Sequence, residues 1–171
     1  AVATNASGGG GSWWQVGVAA ALPAVSDTGT TVDGTAYAIT DGTTLRDDNP
    51  GALGTGGTVG VDALALAQLN KPDFAIVNVR ASAVVPVGLD LQGANATVRK
   101  VSIYGFGSAT DSDASANVRV GPAANAALVE LNLIGSAPSA FADPGAASRT
   151  QADGVRATGG DTGIVRSNLI G

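Results

Sequence analysis

One short pattern occurs three times in the second half of this 171-residue chain, and it constrains the fold more than any other feature. The stretches Thr97–Gly105, Ala127–Gly135 and Gly163–Gly171 read TVRKVSIYG, ALVELNLIG and GIVRSNLIG. Each alternates apolar with other residues and ends in glycine, which is typical of a β-strand that stops at a turn. The starting positions 97, 127 and 163 give intervals of 30 and 36 residues between successive units.

A second, shorter strand pattern precedes each of these units, at Gly88–Gly93, Asn117–Gly121 and Gly154–Gly159. Two strand types therefore recur three times in the same order, which is the signature of a repeat architecture. A meander of hairpins also gives short strands, but it does not require consecutive units to resemble one another. A parallel β-helix does require it, so the sequence predicts an all-β parallel β-helix, or β-solenoid, with one long insertion.

Stacked units of such a fold place equivalent inward side chains in ladders, about 4.8 Å apart. The loops Gly107–Ala116 and Ser136–Ala152 are rich in small and polar residues and are expected to project into solvent. Two aliphatic ladders and one polar ladder are predicted: Val98, Leu128 and Ile164; Ile103, Leu133 and Leu169; and the polar Ser102, Asn132 and Asn168.

The composition agrees with a layered core and excludes several function classes. Hydrophobic residues make up 44% but aromatic residues only 4%, so aliphatic side chains must fill the interior. A net charge of −5 with 13% charged residues argues against binding to nucleic acids and to anionic membranes. No apolar run approaches the roughly 18 residues of a membrane span, so membrane insertion is not expected. Without cysteine or histidine, disulfides, thiolate zinc sites and the commonest general base are excluded.

The pattern divides the chain into a repetitive body, an amino-terminal lead-in and an insertion. Residues 1–11 (AVATNASGGGG) are predicted to be a flexible lead-in, and residues 12–171 the parallel β-helix. Residues at about 38–72 lack a regular pattern and are interpreted as an insertion, within which VGVDALALAQ fits either a short helix or a strand. Because Gly171 directly follows a strand, we expect that the native chain continues beyond it or that another chain covers this end.

Several of these stretches resemble a known family. Leu22–Tyr37 (LPAVSDTGTTVDGTAY) is similar to the opening segment of right-handed parallel β-helix repeats in large bacterial surface and secreted proteins. Ala96–Phe106, Leu131–Gly135 and Asn168–Gly171 are similar to later coils of the same repeats. The chain lacks the Leu-Arg-Glu-Ala-like segment found upstream in many members, and the insertion departs from the compact pattern. The resemblance implies a right-handed β-helix in an extracellular or cell-envelope protein.

One group of oxygen-bearing side chains in the insertion is a candidate metal site. Asp41, Asp47, Asp48 and Asn49 lie within DGTTLRDDN, and oxygen ligands of this kind suit Ca²⁺. The spacing is not that of an EF-hand loop, and the alternative is a solvated turn, which short motifs of this kind more often form.

A second set of acidic residues raises the question of catalysis. Carboxylates on stacked strands could act on polysaccharides if two lay about 5–9.5 Å apart. We interpret this acidic set instead as loop and turn residues: Asp111, Asp113, Asp143, Asp153 and Asp161. No catalytic or cofactor-binding residue is predicted. Of the two tryptophans, Trp13 and Trp14, at least one is expected to cap the first coil, and stacking on a sugar is the alternative.

The sequence therefore predicts a structural or adhesive module of a bacterial cell-surface or secreted protein, and not an enzyme. Its expected partners are other copies of itself, other envelope proteins and glycans, with self-assembly into an oligomer or polymer. The alternative is a polysaccharide-binding or polysaccharide-degrading enzyme, which rests on fold analogy alone.

Overall fold

The computed structural model describes residues 4–66, 68–80, 83–110 and 112–171, which form seventeen β-strands and no helix. Within these ranges no helical segment has the length and apolar character needed to cross a membrane. The strands are β1 Thr4–Gly8, β2 Gly11–Gly17, β3 Thr31–Asp33, β4 Ala52–Leu53, β5 Thr58–Val59, β6 Leu64–Ala65, β7 Leu69–Asn70, β8 Phe74–Val77, β9 Val87–Leu91, β10 Thr97–Arg99, β11 Ser102–Tyr104, β12 Ala116–Val120, β13 Leu128–Glu130, β14 Leu133–Ile134, β15 Asp153–Ala157, β16 Ile164–Arg166 and β17 Leu169–Ile170.

Three sheets of mainly parallel strands make up the body. Sheet A has the order β1-β2-β8-β11-β14-β17, sheet B the order β15-β12-β9, and sheet C the order β16-β13-β10-β3. From β9 onward the chain enters sheets B, C and A in that order three times. All pairings between these successive strand triplets are parallel, whereas β1 pairs antiparallel with β2 at the edge of sheet A.

The register corrects the predicted aliphatic ladders by one residue. Thr97 lies opposite Leu128, so the first interval is 31 residues (128 − 97) rather than 30. Val98 therefore stacks on Val129 and then Val165, and not on Leu128 and Ile164. In sheet A, Ile103, Ile134 and Ile170 form a ladder, while Leu133 and Leu169 lie in register with Ser102.

The one-residue error in the predicted register comes from one extra residue before a turn glycine. Aligning Gly105 with Gly135 is the natural sequence choice, because both glycines end a strand and both have positive φ angles, 85° and 96°. In the structure the N–H of Gly135 donates to the carbonyl of Ile103, two residues before Gly105. Tyr104 is thus the additional residue.

A left-handed residue marks the corner between sheets C and A in every triplet. Lys100, Leu131 and Ser167 have φ angles of 56°, 57° and 54°. The residue that follows the corner is Val101 in the first triplet and asparagine in the next two. Asn132 and Asn168 bond along the stack, as predicted, but Ser102 does not belong to it; its hydroxyl donates to the Ser136 carbonyl at 2.7 Å.

Side chains that point inward from the three sheets form one aliphatic core. Val98, Ile103, Val118 and Val129 are completely buried there, and Phe106 is the one aromatic residue among the fully buried side chains of the described chain. Outward-facing residues of sheet A form a second, smaller cluster: Trp13, Ala75, Val77 and Tyr104. Trp13 therefore packs on the flank of sheet A instead of capping the first coil, and Trp14 is 47% exposed.

The loop Ser136–Ala152 differs from its prediction, because parts of it bond to β12 of sheet B and to the segments that follow β8 and β11 instead of projecting into solvent. The Thr150 hydroxyl accepts from the side-chain amide of Asn117 at 2.9 Å and from the N–H of Gly105 at 3.3 Å. Arg80 donates to the side chain of Gln151. The loop gives buried polar groups of the sheet the partners they need away from water.

The amino-terminal segment also differs from the expected flexible lead-in. Residues 4–8 form β1, which pairs with β2 through a turn at Gly9 and Gly10, whose φ angles are 57° and 84°. Positive φ costs glycine little, so a run that resembles a linker in the sequence serves here as a hairpin turn. Residues 1–3 of the predicted lead-in lie outside the described residues.

Between β3 and β8 the chain leaves the three sheets. It departs at Gly34, next to the Lys100 corner, and returns at Asp73, immediately before β8. Within this excursion β4 pairs antiparallel with β7, and β5 with β6. The VGVDALALAQ stretch therefore contributes strands rather than a helix.

Candidate functional site

The insertion carries a hairpin built from β4 to β7, which we call the contact hairpin and define as residues 51–71. Two further backbone bonds extend its ladders, from Lys71 N–H to the Gly51 carbonyl at the base and from Leu66 N–H to the Gly57 carbonyl between the two ladders, each 2.9 Å long. The tip turns at Gly60 and Ala63, which both have positive φ. Leu53 and Leu69 are buried at the base, so the hairpin is anchored at one end.

Apolar side chains near the tip of the contact hairpin are exposed. Val61 is fully exposed, Leu64 is 65% exposed, and Val59 and Leu66 are also on the surface. Asp62 is the one charged residue between Gly51 and Asn70. Apolar residues that cluster on a projecting element, with little charge around them, mark interaction surfaces more often than isolated exposed residues do.

A cleft of about 460 Å³ lies where the insertion meets the body, and we call it the lysine cleft. Thr35, Lys100 and Leu131 line it from the body side, and Gln68, Asn70 and Lys71 from the returning arm of the hairpin. Its volume falls in the range of small-molecule sites.

Both lysines of the chain line this cleft. The Lys100 ammonium donates to the Thr35 hydroxyl at 3.2 Å, and the Lys71 ammonium to the Gly9 carbonyl at 3.3 Å. Neither pairs with a carboxylate in the described part of the chain. Most of the arginines, in contrast, form ion pairs with carboxylates: Arg46, Arg99, Arg119, Arg149, Arg156 and Arg166.

Two carboxylates, Asp47 and Asp73, also line the cleft. Burial raises the pKa of Asp73, and the charges of Asp47 and Asp48 add to this effect against two lowering hydrogen bonds. Those bonds come from the backbone N–H groups of Asp48 and Asn49, at 2.9 and 3.0 Å, and both end on the same oxygen of Asp73. Asp73 therefore joins the segment just before the contact hairpin to the segment just after it.

Asn49 is completely buried at this junction. Its side-chain amide donates to the Pro72 carbonyl at 2.9 Å and to the Pro138 carbonyl at 3.2 Å. The second bond ties the insertion to the loop Ser136–Ala152. A Cβ on Gly11 would come within 2.0 Å of the Asn49 side-chain oxygen, so the strand beside it needs glycine. Asn49 therefore has a packing and cross-linking role.

The predicted Ca²⁺ ligands form hydrogen bonds and ion pairs at separate places in the structure. Asp41 accepts from the backbone N–H groups of Thr43 and Thr44 and from the Thr44 hydroxyl. These bonds, with Thr44 the largest contributor, lower the pKa of Asp41 to about 2. Asp48 pairs with Arg46 at 2.9 Å, and Asp47 faces the lysine cleft. No group of three or more acidic side chains arranged to hold a metal ion occurs among the described residues.

The second acidic set is only partly brought together. Asp113 and Asp153 both pair with Arg156, at 3.2 and 2.5 Å, whereas Asp143 pairs with Arg149 elsewhere. Asp161 is exposed, and Asp111 lies outside the described residues. Asp113 and Asp143 lie outside the strands, as predicted, whereas Asp153 begins β15 and is not a loop residue.

The sequence interpretation missed the lysine cleft. With the correct register, Asp73 falls at the position of Lys100, because Ala75 lies opposite Ser102. Lys71 is two residues before Asp73, so the register alone would have placed both lysines at the same corner. The strand after Pro72 was not aligned with the repeat in the sequence, so this signal was not used.

No family of known proteins matches the sequence, and neither a curated protein nor a solved structure is found to be similar to the chain.

Proposed function

We propose that this chain is a structural and adhesive module: a right-handed parallel β-helix that holds out the contact hairpin as its binding element. The repeated passage through sheets B, C and A in parallel register supports the β-helix interpretation. In such a stack each unit contacts its neighbours along one axis, which makes a stiff support for a projecting element. A bacterial surface or secreted protein is the setting that the sequence resemblance implies.

The exposed apolar tip of the hairpin is the observation that carries the proposal. Val61 and Leu64 face solvent on an element whose base is buried, so their exposure does not follow from poor packing of the body. Covering such side chains with a partner removes apolar surface from water at about 25 cal/mol per Å². The partners expected are other copies of this chain and other proteins of the envelope.

The test compares two variants with the unaltered protein. The double variant Val61→Ser/Leu64→Ser removes the apolar tip, and Ile39→Ser is the matched control, because Ile39 is 99% exposed in the insertion but lies outside the hairpin. Sedimentation velocity over a concentration series measures self-association, and pelleting with bacterial envelope fragments measures binding to other proteins.

We expect association or pelleting to be lost in the double variant and kept in the control. A protein that stays monomeric at every concentration and pellets with no envelope material would overturn the proposal. Association that survives in the double variant would show that the hairpin is not the contact element.

The alternative, polysaccharide degradation, is tested directly with uronate-containing glycans in the presence and absence of Ca²⁺. Depolymerisation that disappears when a single aspartate is replaced would reverse the order of the two hypotheses.

A further inference from the structure

We propose that the lysine cleft binds an acidic saccharide, a sugar unit with a carboxylate group. This inference goes beyond the proposed contact function and does not depend on it, because Val61 and Leu64 at the hairpin tip do not line the cleft. In a protein of net charge −5, both lysines line one concave surface, and both donate only to uncharged oxygens.

The two ammonium groups provide the attraction for an acid group. A carboxylate that reaches Lys71 or Lys100 forms a charge-assisted hydrogen bond, which is roughly twice as strong as a neutral one. The ammoniums need give up only a bond to the Gly9 carbonyl or the Thr35 hydroxyl, and no existing ion pair is broken.

The other polar groups of the cleft select a ligand with hydroxyls. Gln68 and Asn70 have exposed side-chain amides that make no hydrogen bond with the described part of the chain, so their donors and acceptors are free for a ligand. Asp47 and Asp73 repel a compact polyanion, but carboxylates accept hydrogen bonds from sugar hydroxyls. A ligand whose sugar units each carry one acid group and several hydroxyls satisfies both requirements, because its charges are spread along the chain.

Apolar side chains complete the surface. Leu45 and Leu131 line the cleft and are 68% and 38% exposed, so they offer apolar contact for the C–H faces of a sugar ring. Acidic peptides also carry carboxylates, but they lack the hydroxyls that would use the amides and aspartates. The saccharide is therefore the ligand class that the lining favours.

The test titrates the full chain with galacturonate trisaccharide by calorimetry. Galactose trisaccharide is the neutral counterpart, and a triaspartate peptide is the acidic counterpart without hydroxyls. Two variants remove one charge each: Lys71→Gln, and Lys100→Asn, chosen because asparagine tolerates the left-handed φ of 56° at this corner. Arg149→Gln is the control, since it removes one exposed positive charge outside the cleft.

We expect the galacturonate trisaccharide to bind, and each lysine variant to bind it about tenfold more weakly or worse, as expected for loss of one charged hydrogen bond. Arg149→Gln and Val61→Ser/Leu64→Ser should bind as the unaltered protein does. The lysine variants should also self-associate normally, which separates this proposal from the contact function.

Three outcomes would overturn the proposal: no binding of the trisaccharide, equal binding of the neutral sugar or the peptide, or equal weakening by Arg149→Gln. Circular dichroism and the melting temperature of each variant check that it is folded. If a lysine variant is unfolded, Gln68→Ala and Asn70→Ala replace it, and unchanged affinity in both would count against the site.

Discussion

The side-chain oxygen of Asn168 accepts two hydrogen bonds from Asn132, one from its backbone N–H at 2.9 Å and one from its side-chain amide at 3.0 Å. Asn132 repeats part of this arrangement one unit earlier, where its own side-chain oxygen accepts from the N–H of Val101 at 3.1 Å. Its amide also donates to the Val98 carbonyl at 3.0 Å. The asparagines thus bond the units together at the corner that follows sheet C.

Replacing Asn132 by alanine should lower the free energy of unfolding by about 3 kcal/mol, because it leaves the buried N–H of Val101 without its partner and removes the bonds to Val98 and Asn168. Asn168→Ala is the comparison one unit later: it removes the acceptor of the Asn132 N–H, but its side chain is only partly buried, so we expect a smaller loss of about 1–2 kcal/mol. Urea unfolding monitored by circular dichroism measures both. Equal, small losses would mean that the asparagine stack contributes little to stability.

Glycine at position 88 should be indispensable for close packing. A Cβ there would lie 2.4 Å from the backbone oxygen of Asn117 and 2.9 Å from the Phe106 ring, and a backbone atom of the neighbouring strand cannot move aside. Gly88→Ala should therefore cost about 2–3 kcal/mol of stability.

The control for this substitution is Gly17→Ala, also in a strand, where a Cβ would meet no atom within 4 Å. That change should be neutral or stabilise by about 0.4–1 kcal/mol, because alanine restricts the unfolded chain. Thermal unfolding of the two variants compares them, and similar melting temperatures would contradict the close strand approach at Gly88.

Asn49 should stabilise the insertion with or without calcium. Asn49→Ala removes the donor for the carbonyls of Pro72 and Pro138, and we expect a loss of about 2–3 kcal/mol both in Ca²⁺ and in chelator. Asn70→Ala, which removes an exposed amide from the same insertion, should change stability by less than about 0.5 kcal/mol. A loss for Asn49→Ala that appeared only in Ca²⁺ would point back to a calcium site.

Acid should weaken the fold partly through Asp33. Burial opposes ionisation of this carboxyl, but bonds from Thr35 and Arg99 outweigh it and lower the pKa below its usual 3.8. A lowered pKa in the folded state means that the contribution is fully present above pH 3.8 and is lost as the pH falls through the lowered value.

We expect Asp33→Asn to be less stable at neutral pH and to lose less stability on acidification than the unaltered protein. Thr35→Val keeps the carboxylate but removes a hydroxyl donor, so the pKa of Asp33 should move upward toward its usual value. Carbon-detected NMR titration of Asp33 measures the pKa, and urea midpoints at several pH values measure stability. An unchanged Asp33 pKa in Thr35→Val would show that the hydroxyl does not stabilise the charge.

Much of the fold was predictable because it depends on local, repeated patterns. Alternating apolar residues indicated the strands, and their recurrence indicated parallel pairing between units. The short segments predicted to begin at Gly88, Asn117 and Gly154 start at positions that lie opposite one another in sheet B. Asn132 and Asn168 were correctly assigned to one polar stack.

What the pattern could not determine was the length of individual turns. Tyr104 adds one residue before Gly105, and a shift of one residue turns a strand's side chains to the opposite face. The aliphatic ladders at Val98 and Ile103 were therefore paired with the wrong partners.

The sequence by itself determined the all-β character, the parallel repeat and the aliphatic core, since these follow from the periodicity of side chains along each strand. Only the tertiary structure decided which lone residues meet: Asn49 with Pro138, and Trp13 with Tyr104. Such contacts join segments far apart in the chain and use single, unrepeated residues. No periodic signal marks them, so they depend on how the loops fold back over the stacked strands.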